Sequence, residues 1–250
     1  MIQFEKPNYK IVEKNEKSNY AKFELEPLER GFGYTIGNAL RRVMLSSLPG
    51  SAITSVKIDG VLHEFQTIEG VIEDVTSIVL NLKSIVIKKY CEEDRTIRLS
   101  ASGEGVVTAG DIECDADVEI INKDQVIATL AEGGKLDMEM TVSSGRGYVR
   151  ADENKKLLTD KKVGVIAIDS LYSPIERVAY EVLDARVGQD ESYDKLVLEV
   201  WTNDSIKPEE AIALASRILI EHLELVTKLD KIADANGFMI EKKEDPNKKA

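Results

Sequence analysis

Histidine is almost missing from this sequence, with only His63 and His222 present. A chain so poor in the side chain that most often moves protons near neutral pH has little from which to build general acid–base catalysis. Cysteine is equally scarce. Cys91 and Cys114 lie far apart, form no CxxC pair, and offer neither a zinc ligand set nor a disulfide framework. Such sparse cysteine fits a cytosolic home. No apolar run approaches the roughly 20 residues that span a bilayer. The opening MIQFEKPNYK lacks the basic start and apolar core of a signal peptide, so the expected location is cytoplasmic, with no membrane partner. Positive charge is in deficit, 33 Lys and Arg against 45 Asp and Glu, for a net charge of -12. A surface with that balance repels phosphate, which argues against direct DNA binding.

Nucleotide-binding signatures are missing too. Gly31, Gly33 and Gly37 give G-x-G-x-x-x-G, one residue too long for the dinucleotide fingerprint, and no P-loop string occurs. These glycines are expected to serve turns and close packing. The acidic stretches at residues 91–94 and 111–117 read as solvated turns. A magnesium site needs only one or two carboxylates plus substrate phosphates, so that alternative stays open. The string Gly145-Arg146-Gly147-Tyr148 is compatible with an anion cradle or with a β-turn. No catalytic residue, metal ligand or cofactor is assigned.

What remains is ordinary globular material. At 43% hydrophobic and 31% charged residues, 250 residues can bury one large core or two small ones. Ile11 and Val12 begin a strand, residues 15–19 make a polar turn, and Ala21, Phe23 and Leu25 alternate along the next strand. A helical stretch then runs to Pro49-Gly50, a strong stop. From Ala52 to about Asp169 the pattern is strand-rich, with Val56, Ile58 and Val61 near one edge of that section. Leu136, Met138, Met140 and Val142 alternate there with polar residues, and a short helix is expected over residues 71–82. Residues 151–156 read as a solvated loop. A second β section, Val178 to Trp201, precedes the longest helical signal, Pro208 to Asn236. The charged, proline-broken tail at residues 241–250 reads as a linker.

Two helices carry most information. On a wheel, Ile36, Ala39, Leu40, Val43, Met44 and Ser47 form one apolar stripe, while Asn38, Arg41, Arg42 and Leu45 lie opposite. A leucine between arginines suits a protein interface, although a single exposed leucine needs no explanation. In the helix over 208–236, Pro208, Glu209 and Glu210 suit the start and Gly237 lies just past the end. Its apolar arc covers about half the circumference, wider than the roughly 100° a single core requires. Either part of the arc meets a partner helix or the whole helix is buried in one large domain. His222, beside the arc, reads as a packed or partly exposed side chain.

The string ELEPLERGFGYTIGNALRRVMLSSLPG ending at residue 50 closely resembles the bacterial RNA polymerase α subunit. The resemblance continues through Ile58-Asp-Gly-Val-Leu-His-Glu-Phe, Leu80-Asn-Leu-Lys, Gly145-Arg-Gly-Tyr-Val, Tyr172-Ser-Pro-Ile-Glu-Arg-Val-Ala-Tyr, Asp194-Lys-Leu-Val-Leu-Glu-Val and Pro208-Glu-Glu-Ala. It covers about residues 10 to 235. The resemblance implies an α+β fold in two parts. A dimerisation domain would be built from residues 1–50 and 171–235, with a β-rich insert domain over 51–170 and a linker from 236 to 250. It implies a non-catalytic homodimer that gathers the β and β′ subunits. The dimer face would take in Ile36, Leu40, Val43, Met44, Ile218, Leu219, His222, Val226 and Leu229. Large-subunit contacts would fall to Glu29, Arg30, Arg41, Arg42 and Leu45, with Lys83, Tyr172, Ser173, Pro174 and Arg177 as weaker carry-overs. Family members carry a further C-terminal domain that contacts promoter DNA and activators, so those roles are not expected of these residues. Two competing classes are a small-molecule enzyme or ligand-binding protein built from carboxylates and loops, and the equivalent assembly subunit of another lineage.

Overall fold

The four alternating residues Leu136, Met138, Met140 and Val142 are all buried, the last two completely, and they mark an interior strand of the larger sheet in a computed structural model of the chain. The structure describes residues 4–15, 18–158, 163–188, 190–227 and 239–240. In chain order the elements begin with β1 (Phe4–Glu5), β2 (Asn8–Asn15), β3 (Tyr20–Glu29), α1 (Phe32–Ser47), β4 (Pro49–Ile58) and α2 (Val75–Lys83). Next come β5 (Ile87–Lys89), β6 (Arg95–Ser102), β7 (Gly105–Thr108), a 3-10 turn at Ala109–Asp111, β8 (Val118–Ile120) and β9 (Val126–Leu130). They are followed by β10 (Lys135–Arg146), β11 (Tyr148–Val149), α3 (Ala151–Leu157), β12 (Val165–Ala167) and β13 (Ser170–Leu171). The chain closes with β14 (Ile175–Val187), β15 (Asp190–Thr202), α4 (Pro208–Thr227) and β16 (Met239–Ile240). This is an α+β fold with a strand-rich middle.

The described residues fall into two compact units. The first takes those of Met1–Ser47, Ile175–Thr202 and Ile206–Ala250; the second takes Leu48–Pro174 and Asn203–Ser205. In the first unit an antiparallel sheet runs in the order β14-β15-β3-β2. One face of it, carrying Leu196, Leu198 and Val200 at 3% exposure or less, is covered by helix α1. Edge strand β2 is exposed along its whole length.

The second unit is organised by a sheet in the order β6-β10-β4-β5-β8, with β12 also pairing β4. Its core joins Val56 and Ile58 of β4, Ile97 and Leu99 of β6, and the buried side chains of β10 to Val75, Ile78 and Leu82 of α2. Two expectations are corrected in this unit. The helix expected from residue 71 begins at Val75, because Asp74 takes the N-cap and its carboxylate accepts from Ser77 N at 2.8 Å. Val71 instead bridges to Leu130. Residues 151–156, read as a loop, form α3. Acidic Asp152 and Glu153 lie in its first turn and Lys155 and Lys156 in its last, which suits the helix dipole. Asn154 anchors it by donating to Ile168 O at 2.7 Å and Ser170 Oγ at 2.9 Å.

Candidate subunit-interaction surface

The position of α1 is set by two glycines and one carboxylate. A Cβ at position 33 would stand 2.7 Å from Val182 Cγ1, and one at position 37 would stand 2.7 Å from Tyr180 Cδ2 and 2.9 Å from Leu196 Cδ1. Only glycine lets this side of the helix lie so close to the sheet. Buried Asp194 of β15 holds the entry, its Oδ2 accepting from Gly31 N at 2.8 Å and Gly33 N at 3.1 Å. Gly31 turns into the helix at φ +91°, a left-handed conformation that favours glycine. The close-packing reading of these glycines therefore holds.

The side of α1 that faces the sheet is Gly33, Gly37, Leu40 and Met44. Leu40 and Met44, which the resemblance implies for a dimer face, lie in the chain's own core at 7% and 0% exposure. Ile36 and Val43 beside them are half-buried. Arg42 is exposed and Leu45 half-buried. Arg41 is exposed but tied to its own sheet, Nε donating to Val178 O at 3.3 Å. Glu29 ends β3, and Arg30 is exposed just before α1.

Helix α4 changes character along its length. Pro208, Ala211 and Ala215 are buried, Ile218 and Leu219 are half-buried, and residues 221–227 are exposed on every side. Ile220, Leu223, Leu225 and Val226 are 55–64% exposed. His222 is exposed, Nδ1 donating to Ile218 O at 2.7 Å. The described residues end at Thr227 in this helix, so Leu229 and the expected continuation to 236 lie outside them, as does the tail expected as a linker.

The weaker carry-overs are dispersed. Lys83 caps its own unit, its Nζ donating to Asp169 Oδ2 at 2.6 Å while Ala151 N reaches Asp169 Oδ1 at 2.8 Å. The Lys83 ammonium and these donors hold the Asp169 carboxyl below the usual carboxylate range. Tyr172 and Pro174 are buried and Ser173 is half-buried. The Tyr172 ring occupies the space that a Cβ at Gly145 would enter, 2.7 Å away. Gly145 and Arg146 end β10, paired with Gly50 and Pro49 of β4, Gly147 bends the backbone at φ +64°, and Tyr148 opens β11, so the stretch at 145–148 is strand, bend and strand rather than the β-turn considered from the sequence. Arg177 is exposed, its guanidinium 4.7 Å from the centre of the Trp201 ring. Trp201 and Asp194 were not singled out as functional from sequence, because each acts on a strand remote in the chain.

The chemistry available elsewhere is slight. Among the described residues no three His, Cys, Asp or Glu side chains group to hold a metal ion. A polar depression of about 440 Å³ is lined by Thr96, Arg98, Glu113, Cys114 and Asp115. Desolvation and then the Asp115 charge push the Cys114 thiol up, away from the thiolate form. No described helix is long and apolar enough to cross a membrane.

A family model described as the RNA polymerase Rpb3/RpoA insert domain matches residues 56–173. The whole chain aligns with the DNA-directed RNA polymerase subunit alpha of two strains of Desulfitobacterium hafniense and of Symbiobacterium thermophilum. Identity is 56% over 249 residues in each case, covering 100% of this chain and 78% of each relative. With glycines and an aspartate fixing α1, an exposed apolar end on α4, and this identity along its full length, the chain belongs to the family of bacterial DNA-directed RNA polymerase α subunits.

Proposed function

We propose that this chain is a non-catalytic scaffold of the polymerase, which homodimerises and then gathers the β and β′ subunits in the cytoplasm. The dimer face combines Ile36 and Val43 of α1, above buried Leu40 and Met44, with Ile218, Leu219, His222 and Val226 of α4, and Leu229 beyond. The observation that carries this reading is the end of α4. Four large apolar side chains within seven residues are more than half exposed, a patch that soluble proteins usually cover with a partner. Large-subunit binding falls to Arg42 and Leu45, with Glu29, Arg30 and Arg41 beside them. Lys83, Tyr172, Ser173, Pro174 and Arg177 form a secondary set, in which buried Tyr172 and Pro174 shape the backbone. The net charge of -12 supports leaving sequence-specific DNA contact to other parts of the polymerase.

The test is capture of β by the dimer. Arg42→Ala and Leu45→Ala should each lower β affinity by about 2 kcal/mol, roughly 30-fold, as hot-spot truncations do. Melting temperature and dimer mass should stay at the parent values, since surface positions shift stability by only about 0.5 kcal/mol. Full β capture by both variants would place the binding surface elsewhere.

A further inference from the structure

Helix α4 and the sheet of the first unit each end in apolar surface that is left bare. Pro208, Ala211, Ala215, Leu219, His222 and Val226 recur at three- and four-residue spacing, which puts them on one stripe of α4. The first three are buried where the helix packs on α1, β3 and β15. The same stripe then runs on past that support. Leu219 is half-buried, and His222 and Val226 are exposed. Such a stripe is shaped to lie on a packed surface, and among the described residues only its first half does so.

The sheet shows the matching deficit. Tyr9 of β2, Leu25 of β3 and Leu196 of β15 stand in one row, and Ile11, Phe23 and Leu198 in the next. Residues directly opposite on adjacent antiparallel strands share a face, so both rows lie on the side that α1 covers. Burial falls along each row toward the edge. Leu196 and Leu198 are 1% and 3% exposed, Leu25 and Phe23 are half-buried, and Tyr9 and Ile11 are 78% and 46% exposed. The outer strands therefore keep an apolar strip bare on the helix side. Lys14 of β2 meets Glu209 at 2.8 Å, which pins the start of α4 to this edge and leaves the far end to project.

Charge complements the apolar match. Residues 218–227 carry Glu221 and Glu224 and neither lysine nor arginine, whereas β2 carries Lys10 and Lys14 against Glu13 alone. We propose that the two chains of the dimer exchange arms, the far end of each α4 lying through Leu219, His222 and Val226 on the strip of Tyr9, Ile11, Phe23 and Leu25 in the second copy. A two-fold axis makes the exchange reciprocal, so each chain gives one arm and receives one. The inference rests on the homodimer reading above and brings β2 and β3 into an interface that reading gives to helices alone.

The test places p-benzoylphenylalanine, a photo-crosslinking aromatic, at position 9 of the full 250-residue chain, an exposed site where one aromatic replaces another. Copies with and without isotope labelling are mixed, so that mass tells a crosslink between copies from one within a chain. Ile11→Glu is followed in parallel by light scattering and circular dichroism. The expected result is a covalent dimer on illumination, joined between position 9 of one copy and residues 218–227 of the other. Ile11→Glu should weaken the dimer roughly tenfold or more, with circular dichroism at parent values. If Ile11→Glu fails to fold, the crosslink alone decides. A non-covalent dimer whose crosslinks fall elsewhere or do not form overturns the arm exchange and leaves the homodimer reading intact. A parent chain of single mass overturns both.

Discussion

Gly37 sits where any side chain would strike Tyr180 and Leu196 of the chain's own sheet. Gly37→Ala must therefore push α1 outward or distort two strands, and overpacking of this kind costs about 1–3 kcal/mol. The expected outcome is a lower melting temperature together with weaker β capture, because the helix that carries Arg42 and Leu45 moves as a body. A melting temperature equal to the parent's would show that the contact relaxes freely. Asp169 gives a second test at this scale. Hydrogen bonding from Lys83 lowers its folded pKa, so its contribution is complete above the ordinary carboxylate value of about 3.9. It is lost as pH falls through the folded value. Asp169→Asn should consequently flatten the acid side of a plot of melting temperature against pH, which differential scanning fluorimetry measures directly. An acid limb as steep as the parent's would count against that assignment.

Helices α1 and α4 were legible in the sequence for different reasons. The over-wide apolar arc of α4 is a local pattern, and it matches an element whose far end leaves Leu223, Leu225 and Val226 exposed. The stripe of α1 is local too, but which part of it faces the sheet is decided by Gly33 and Gly37, which carry no hydrophobic signal. This is why Leu40 and Met44 lie in the core while Ile36 and Val43 remain partly accessible. The Asp194 cap is 163 residues from Gly31, and no periodicity reports a contact at that range. Strand alternation revealed β3 and β10 well. Helix α3 was missed because its seven residues are nearly all polar, and its anchor is Asn154, buried through hydrogen bonds rather than hydrophobicity. At the element scale, Val226→Glu is the informative change. Val226 is 58% exposed in the protomer, so the protomer should fold normally, while a glutamate in a packed helix pair would bury an unpaired charge and separate the chains. Circular dichroism at parent values with halved mass is the expected pair of readings; parent mass would take Val226 out of the interface.

For the whole molecule, the acidic balance and the apolar end of α4 pull in opposite directions. A net charge of -12 on each protomer makes two copies repel at long range, whereas the exposed leucines and isoleucine favour association at short range. Salt screens the first and leaves the second, since charges are screened beyond about 3 Å at 1 M ionic strength. Association through α1 and α4 should thus persist, or tighten, as salt rises. An assembly held by surface ion pairs would loosen instead. The proposed scaffold requires a dimer of this chain, and light scattering coupled to size-exclusion chromatography tests that most directly. A single species of twice the 27.8 kDa chain mass is expected, unchanged between low salt and about 1 M salt; a species of one chain mass at micromolar concentration would contradict the dimer.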